Sequence, residues 1–234
     1  DVTVGVLEAE ARALNVAYVK HRTTGLPYVT LKLAQTLDGQ IATASGDSKW
    51  ITSQASRVRA HRLRADADAI LIGSGTLKAD DPELSVRHVE GESPAKIVLD
   101  GRLEISTGAK VLEGAPLWVA TSEGVSNRRL QEVEAAGAGV WVIGGDGRPD
   151  LHDVLKLAAD KGYLHVLIEG GGQVAASALR GNLVDRVAVF VAPKILGKGI
   201  SSVGDLGIDR IADAVELDLV EVERIGDDLF YAAD

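Results

Sequence analysis

Val166-Leu-Ile-Glu-Gly-Gly-Gly-Gln-Val-Ala-Ala-Ser177 is the stretch on which the architecture turns. Val166, Leu167 and Ile168 form an unbroken apolar run, as expected of a strand covered on both faces. Glu169 follows at its carboxyl end, and Gly170, Gly171 and Gly172 lead into a helix from Gln173 to about Leu179. A strand that passes through glycines into a helix belongs to a parallel sheet, whose ligands gather at the carboxyl ends of strands. Glycines let the backbone approach a ligand there, and the N–H groups of a helix start favour a pyrophosphate. A tight turn that merely needs glycine accounts for the same residues. The run is not GxGxxG, so the ordinary dinucleotide fingerprint is absent. Glu169 is equally open between binding a ligand's hydroxyl or amino groups and capping the helix.

The alternation of strand and helix continues in both directions. Downstream come a strand, Arg186 to Val191, and two alternating strands between Glu216 and Ala232 around Gly226-Asp227, an antiparallel hairpin. Upstream, helices at Leu151 to Lys161 and Asn127 to Ala136 separate strands at Leu164 to Ile168, Val140 to Ile143, Leu117 to Ala120 and Ile97 to Leu99. The strand Ala69 to Ile72 runs into Gly73-Ser74-Gly75-Thr76, and a helix from Ser53, its N-cap, to Ala65 precedes it. In the strand Tyr28 to Ala34, Val29, Leu31 and Leu33 share one face and Thr30, Lys32 and Ala34 the other. A lysine among small residues on a strand points into a cleft more readily than into a core. Leu7 to Lys20 carries helical spacing, with Leu7, Ala11, Leu14 and Tyr18 on one stripe. The expectation is an α/β fold with a mostly parallel sheet flanked by helices and a C-terminal antiparallel hairpin.

Composition narrows the chemistry. The chain has no cysteine, which excludes disulfides, thiolate metal sites and cysteine nucleophiles. Its five histidines show no HxxxH spacing, so no metal site is expected. His88-Val-Glu90 matches HxE, but without a PCxxC partner it reads as chance, and no zinc deaminase activity is expected of this chain. A net charge of −9 argues against a nucleic-acid surface. No apolar run reaches the roughly 18 residues of a membrane span, and nothing resembles a signal peptide, so a cytoplasmic location is expected. Methionine is absent even at position 1, which suggests a piece of a longer chain.

Two side-chain constellations stand out. Arg57, His61 and Arg64 fall on one helix face, suited to a phosphate ester or simply to solvent. His61 taken singly reads as structural or exposed. Thr76 and Asp80 lie one helical turn apart before Asp81-Pro82, placed either for cofactor ribose or amide contacts or for capping.

Together these segments resemble a known family. Leu31-Lys-Leu-Ala-Gln-Thr-Leu-Asp-Gly39, Ser45-Gly-Asp-Ser-Lys-Trp-Ile51, Leu63-Arg-Ala65, Asp68-Ala-Ile-Leu-Ile-Gly73 and Thr76-Leu-Lys-Ala-Asp-Asp-Pro-Glu-Leu-Ser-Val-Arg87 stand in its order, as do Ile168-Glu-Gly-Gly171 and Ala192-Pro-Lys-Ile-Leu-Gly197. They are similar to the C-terminal reductase domain of the bacterial riboflavin-biosynthesis bifunctional deaminase-reductase. Gln35-Thr36 departs from the commoner Ala-Ser but keeps a small hydroxyl residue. The resemblance implies a dihydrofolate-reductase-like fold and NADPH-dependent reduction of the ribosyl group of 5-amino-6-(5-phosphoribosylamino)uracil. It makes residues 1–26 a helical linker after an absent deaminase domain and residues 27–234 the reductase domain.

By motif position, the resemblance implies cofactor contacts at Ala34, Trp50, Thr76, Asp80, Gly101, Gly171, Gly172, Gln173, Val174, Ala175, Ala176 and Ser177. Gly101, offering backbone alone, is the weakest of these transfers. The implied substrate contacts are Lys32, Ser48, Thr52, Arg64, Leu84, Arg87 and Glu169, with Lys32, Glu169 and Asp80 as catalytic groups. Relatives suggest a homodimer, with the apolar strand Val187 to Val191 and Pro193 as its interface. Rival readings are a reductase of the same fold acting on the diamino pyrimidinone or a pterin-like substrate, and a nucleotide-binding module without catalysis.

Overall fold

The computed structural model describes residues 2–144 and 147–234. Helices α1 (Glu8–Leu14) and α2 (Val16–Thr24) lead to strands β1 (Tyr28–Thr36) and β2 (Gln40–Thr43) and helix α3 (Gln54–Ala65). Next come β3 (Ala69–Gly73), α4 (Ser74–Asp80), β4 (Ala95–Leu99), β5 (Leu117–Ser122), α5 (Asn127–Ala135), β6 (Gly139–Ile143) and α6 (Leu151–Asp160). The chain ends with β7 (His165–Ile168), α7 (Gly172–Arg180), β8 (Arg186–Ala192), β9 (Gly199–Ser201), β10 (Leu219–Ile225) and β11 (Asp228–Ala233). Among the described residues no helix is long and apolar enough to cross a membrane.

The main sheet runs β10-β11-β8-β1-β7-β3-β4-β5-β6. Pairing is parallel from β8 to β6 and antiparallel at β8–β11 and within the hairpin. The mixed architecture expected from the sequence is therefore present. From β1 the chain steps outward through β3, β4, β5 and β6, then returns to insert β7 beside β1 and crosses over β1 to β8. Strand order thus reverses at β1 and β7, where a doubly wound sheet opens a crevice at its carboxyl edge.

Strand alternation sends side chains to two cores. Leu31, Leu71 and Ile168 pack with Leu155 of α6 and Ala175 of α7, while Ile70, Ile72 and Val98 pack with Leu77 of α4 and Val133 of α5. Ala34 and Phe190 face Ala60 and Leu63 of α3 together with Phe230 of the hairpin. Thr30, Lys32 and Ala34 thus occupy the α3 face of β1, opposite Val29, Leu31 and Leu33.

One expectation changes and two features are added. The helix over Leu7 to Lys20 is broken at Asn15, whose side-chain amide donates to the Ala11 carbonyl and competes with the backbone. A small second sheet pairs β2 with β9, strands too short for their pattern to show in the sequence. β8, which carries Val187 to Val191, is paired on both sides within the sheet. Exposed apolar side chains lie on the edge strand β10, at Leu219, Val220 and Val222.

The buried Asp228 carboxylate fixes α3 to the hairpin, accepting from Ser53 N at 2.7 Å and Ser56 Oγ at 2.6 Å. Ser53 in turn caps α3, its hydroxyl accepting from Ser56 N. Asp228→Ala removes both bonds to a buried charge and should cost about 2–3 kcal/mol. In a thermal melt this corresponds to a fall of roughly 5–10 °C in Tm. A melting temperature unchanged from the parent would remove this contact from the account.

Candidate active site

β7 stops at Ile168, which pairs with Leu31, whereas β1 continues to Thr36. Lys32 is the first β1 residue past that ladder, and Glu169 is the first residue beyond β7. They stand side by side, with Lys32 Nζ 3.7 Å from Glu169 Oε2. Arg64 reaches in from α3, its Nε and Nη2 each donating over 2.8 Å to the two Glu169 oxygens. Arg64 Nη1 also donates to the Ser85 carbonyl at 3.1 Å. Only 9% of the Glu169 side chain is exposed, so its charge needs this pairing to survive desolvation. Burial pushes the Glu169 carboxyl up, but the charges of Arg64 and Lys32 and the Arg64 hydrogen bonds outweigh it, holding the group at about 2.

A cavity of about 490 Å³ opens over this cluster. Lys32, Ala34, Ser48, Trp50, Thr52, Arg64, Asp80, Leu84 and Arg87 all border it, so nine of the residues singled out in the sequence meet in one place. Its walls also contain residues to which the sequence reading gave no role: Lys49, which faces Asp80 at 3.7 Å, and Lys110. Arg57 and His61 line it too, as their shared helix face with Arg64 allowed. Arg57 lies 4.3 Å from the Trp50 ring centroid, and Lys194 Nζ donates to the Trp50 and Ile51 carbonyls at 2.7 Å each.

A second cavity of about 470 Å³ lies on the other side of α4. Gly101, Gln173, Val174 and Ser177 border it, together with the cations Lys78, Arg102, Arg148 and Arg180. Helix α4 separates the two spaces, giving Ser74, Gly75 and Lys78 to one and Asp80 to the other. Asp100, to which no local motif points, also borders this cavity, where burial pushes its carboxyl up.

The remaining predicted residues lie behind these walls. Thr76 Oγ1 accepts from Gly171 N at 3.1 Å, tying α4 to the start of α7. A Cβ on Gly172 would fall 2.5 Å from the Ser201 carbonyl oxygen, so packing against the β9 loop requires glycine there. On Gly171 it would meet nothing closer than Thr76 Oγ1 at 3.7 Å. Ala175 and Ala176 are buried.

A family model described as the RibD C-terminal domain matches residues 27–231. The Aquifex aeolicus protein named riboflavin biosynthesis protein RibD is 43% identical over 98% of this chain and 64% of its own length. Acinetobacter baumannii RibD superposes with a TM-score of 0.86 at 31% identity, over 98% of this chain and 64% of that one. A Thermotoga maritima diaminohydroxyphosphoribosylaminopyrimidine deaminase/5-amino-6-(5-phosphoribosylamino)uracil reductase gives 0.83 at 31% identity, over 98% and 62%. The chain spans less than two thirds of these relatives, and their likeness bears out the dihydrofolate-reductase-like fold.

The depressed Glu169 carboxyl has a signed consequence for stability. A carboxyl lowered from 4.5 to about 2 in the folded chain stabilises it above the unfolded value, and the contribution fades as pH falls from about 4.5 toward 2. Glu169→Gln should lower the denaturation midpoint at neutral pH and flatten its acid decline across that window. Parallel declines for the two proteins, followed by denaturant titration at several pH values, would show that Glu169 is not the titrating anion.

Proposed function

The chain belongs to the RibD C-terminal domain family, and from that premise we propose that it catalyses NADPH-dependent reduction of the ribosyl group of 5-amino-6-(5-phosphoribosylamino)uracil to the ribityl product in riboflavin biosynthesis. The observation that carries the reading is the pair of cavities on either side of α4, one lined by Lys32 and Arg64, the partners of Glu169, and the other lined by Lys78, Arg102, Arg148 and Arg180.

The second cavity has a donor set that fits a dinucleotide. Lys78, Arg102, Arg148 and Arg180 suit phosphate oxygens, and at the start of α7 the N–H groups of Gly172 and Gln173 precede the first intrahelical bond, from Val174 N to Gly171 O. When bound, NADPH supplies the hydride, which adds to C1′ of the ring-opened sugar. Ala34, Trp50 and Asp80 border the neighbouring cavity and complete the cofactor contacts in this reading.

In the first cavity the chain's own groups position the substrate. Arg64 holds Glu169 ionised, and Glu169 holds the Lys32 ammonium at the bottom of the opening. Lys32 then donates hydrogen bonds to polar groups at the reacting end of the sugar. Three of the five Arg64 N–H groups are already engaged, leaving two for the substrate. Arg87, its guanidinium half exposed and paired with Glu83 at 2.9 Å, exchanges that partner for the 5′-phosphate, with Ser48 and Thr52 completing the polar wall. In the same reading residues 1–26 follow a deaminase domain, residues 27–234 are the reductase domain, and the enzyme is a cytoplasmic homodimer.

The deciding measurement is NADPH consumption by the purified chain with 5-amino-6-(5-phosphoribosylamino)uracil, set against the diamino pyrimidinone and against NADH. Turnover with the first pyrimidine and NADPH is the expected result, and no turnover with it would end the proposal. Lys32→Met keeps the length but not the charge, and should lower kcat roughly a hundredfold with little loss of stability. Near-parental turnover would remove Lys32 from the reacting centre. Gly171→Val adds a side chain where the apo protein has room, so NADPH affinity should fall by about tenfold or more while Tm stays close to that of the parent. A large drop in apo stability with unchanged NADPH affinity would make Gly171 a turn residue only.

A further inference from the structure

The segment between α4 and β4, residues 81–94, contains no helix or strand, and it carries Arg87. Leu84 and His88 adopt left-handed backbone angles, φ 55° and 69°, which non-glycine residues hold only when their surroundings compel it. Helix α3 provides part of that compulsion. Arg64 Nη1 donates to Ser85 O, and His61 Nδ1 accepts from the Arg87 backbone N–H at 3.0 Å. His61 and Arg64 are three residues apart on α3, so one helix face grips the loop on both sides of Val86. The His61 ring is buried, lines the cavity, and meets the His88 ring edge-on with centroids 5.2 Å apart.

We propose that His61 is a positioning residue for the substrate's phosphate end: through Nδ1 it holds the backbone of Arg87 and so keeps that guanidinium at the mouth of the cavity. The inference rests on the reading that Arg87 meets the phosphate ester. His61 accepts this bond only as a neutral ring with its proton on Nε2. Burial, then the charges of Arg64 and Arg87, push its pKa down to about 4, against the opposing pull of Glu169, so the neutral ring persists near neutral pH. A fixed Arg87 binds the phosphate without first being ordered, which strengthens substrate binding while the reacting groups around Lys32 stay as they are. His61 therefore acts on KM rather than kcat.

The test compares His61→Leu, His61→Asn and His61→Gln in the purified chain. The Asn carbonyl oxygen sits near the Nδ1 position and accepts the Arg87 N–H, whereas the longer Gln amide reaches toward Nε2. In His61→Leu, the KM for the phosphorylated pyrimidine and the inhibition constant of ribose 5-phosphate should both rise roughly five- to tenfold. The kcat and the KM for NADPH should stay within about twofold, and His61→Asn should recover most of the loss where His61→Gln does not. Adding His61→Leu to Arg87→Ala should cost little more than Arg87→Ala alone. An unchanged KM in His61→Leu, equal impairment of the Asn and Gln variants, or a fall in kcat alone would overturn the role. Should His61→Leu fail to fold, the Asn and Gln pair decides. Should the parent protein not reduce the pyrimidine at all, the functional reading fails separately, and ribose 5-phosphate binding by parent and variants still tests the grip on Arg87.

Discussion

A carboxylate withdrawn from water is stable only if charges of opposite sign are withdrawn with it. Glu169 is such a group, and its partners come from elements distant in sequence: Lys32 from the middle of β1, and Arg64 from the last turn of α3. The cluster therefore constrains several things at once. β7 must end at Ile168 so that Glu169 turns toward β1. α3 must lie over the Lys32 face of β1 at one rotation, to which Asp228 and the cap at Ser53 both contribute. The long loop before β4 must follow α3, because Arg64 and His61 both bond to it. A shift in any one of these elements leaves a buried charge without its partner.

The same reasoning explains why the site has two chambers. α4 begins directly at the end of β3 and stands on the sheet edge, held to the α7 start by the bond between Thr76 and Gly171. The chamber beside α7 gathers Lys78, Arg102, Arg148 and Arg180, whereas Glu169 and its two partners lie at the other. A dinucleotide whose reactive end must meet a second substrate needs such an arrangement, with its charged portion held apart from the reacting centre.

Motifs that look independent along the chain prove to be contacts. Asp38 accepts from the backbone N–H groups of Leu196, at 3.1 Å, and Gly197, at 2.7 Å. Lys194 reaches from that same segment to the carbonyls of Trp50 and Ile51. The strings Leu31 to Gly39, Ser45 to Ile51 and Ala192 to Gly197 are thus tied together, the first two bordering the Lys32 cavity and the third bonded to both. Their pairing is invisible in a linear reading, since nothing local to Asp38 names Gly197 as its partner.

Periodicity and turn chemistry are local properties, and what depends on them was readable in the sequence. The strands and most helices, the capping by Ser53, the hairpin about Gly226, the placing of Lys32 opposite Leu31 and Leu33, and the common face of Arg57, His61 and Arg64 all follow from spacing over a few residues. Long-range pairing was decided only in the folded chain. It inserted β7 beside β1, enclosed β8 on both edges and joined the short strands β2 and β9. It also distinguished arginines that spacing alone leaves equivalent: Arg64 is largely committed to Glu169, while Arg87 stays half exposed at the cavity mouth. The physical reason is that a side chain's charge and reach are set by its own identity, whereas its partner is set by which distant groups the sheet order brings out of water beside it.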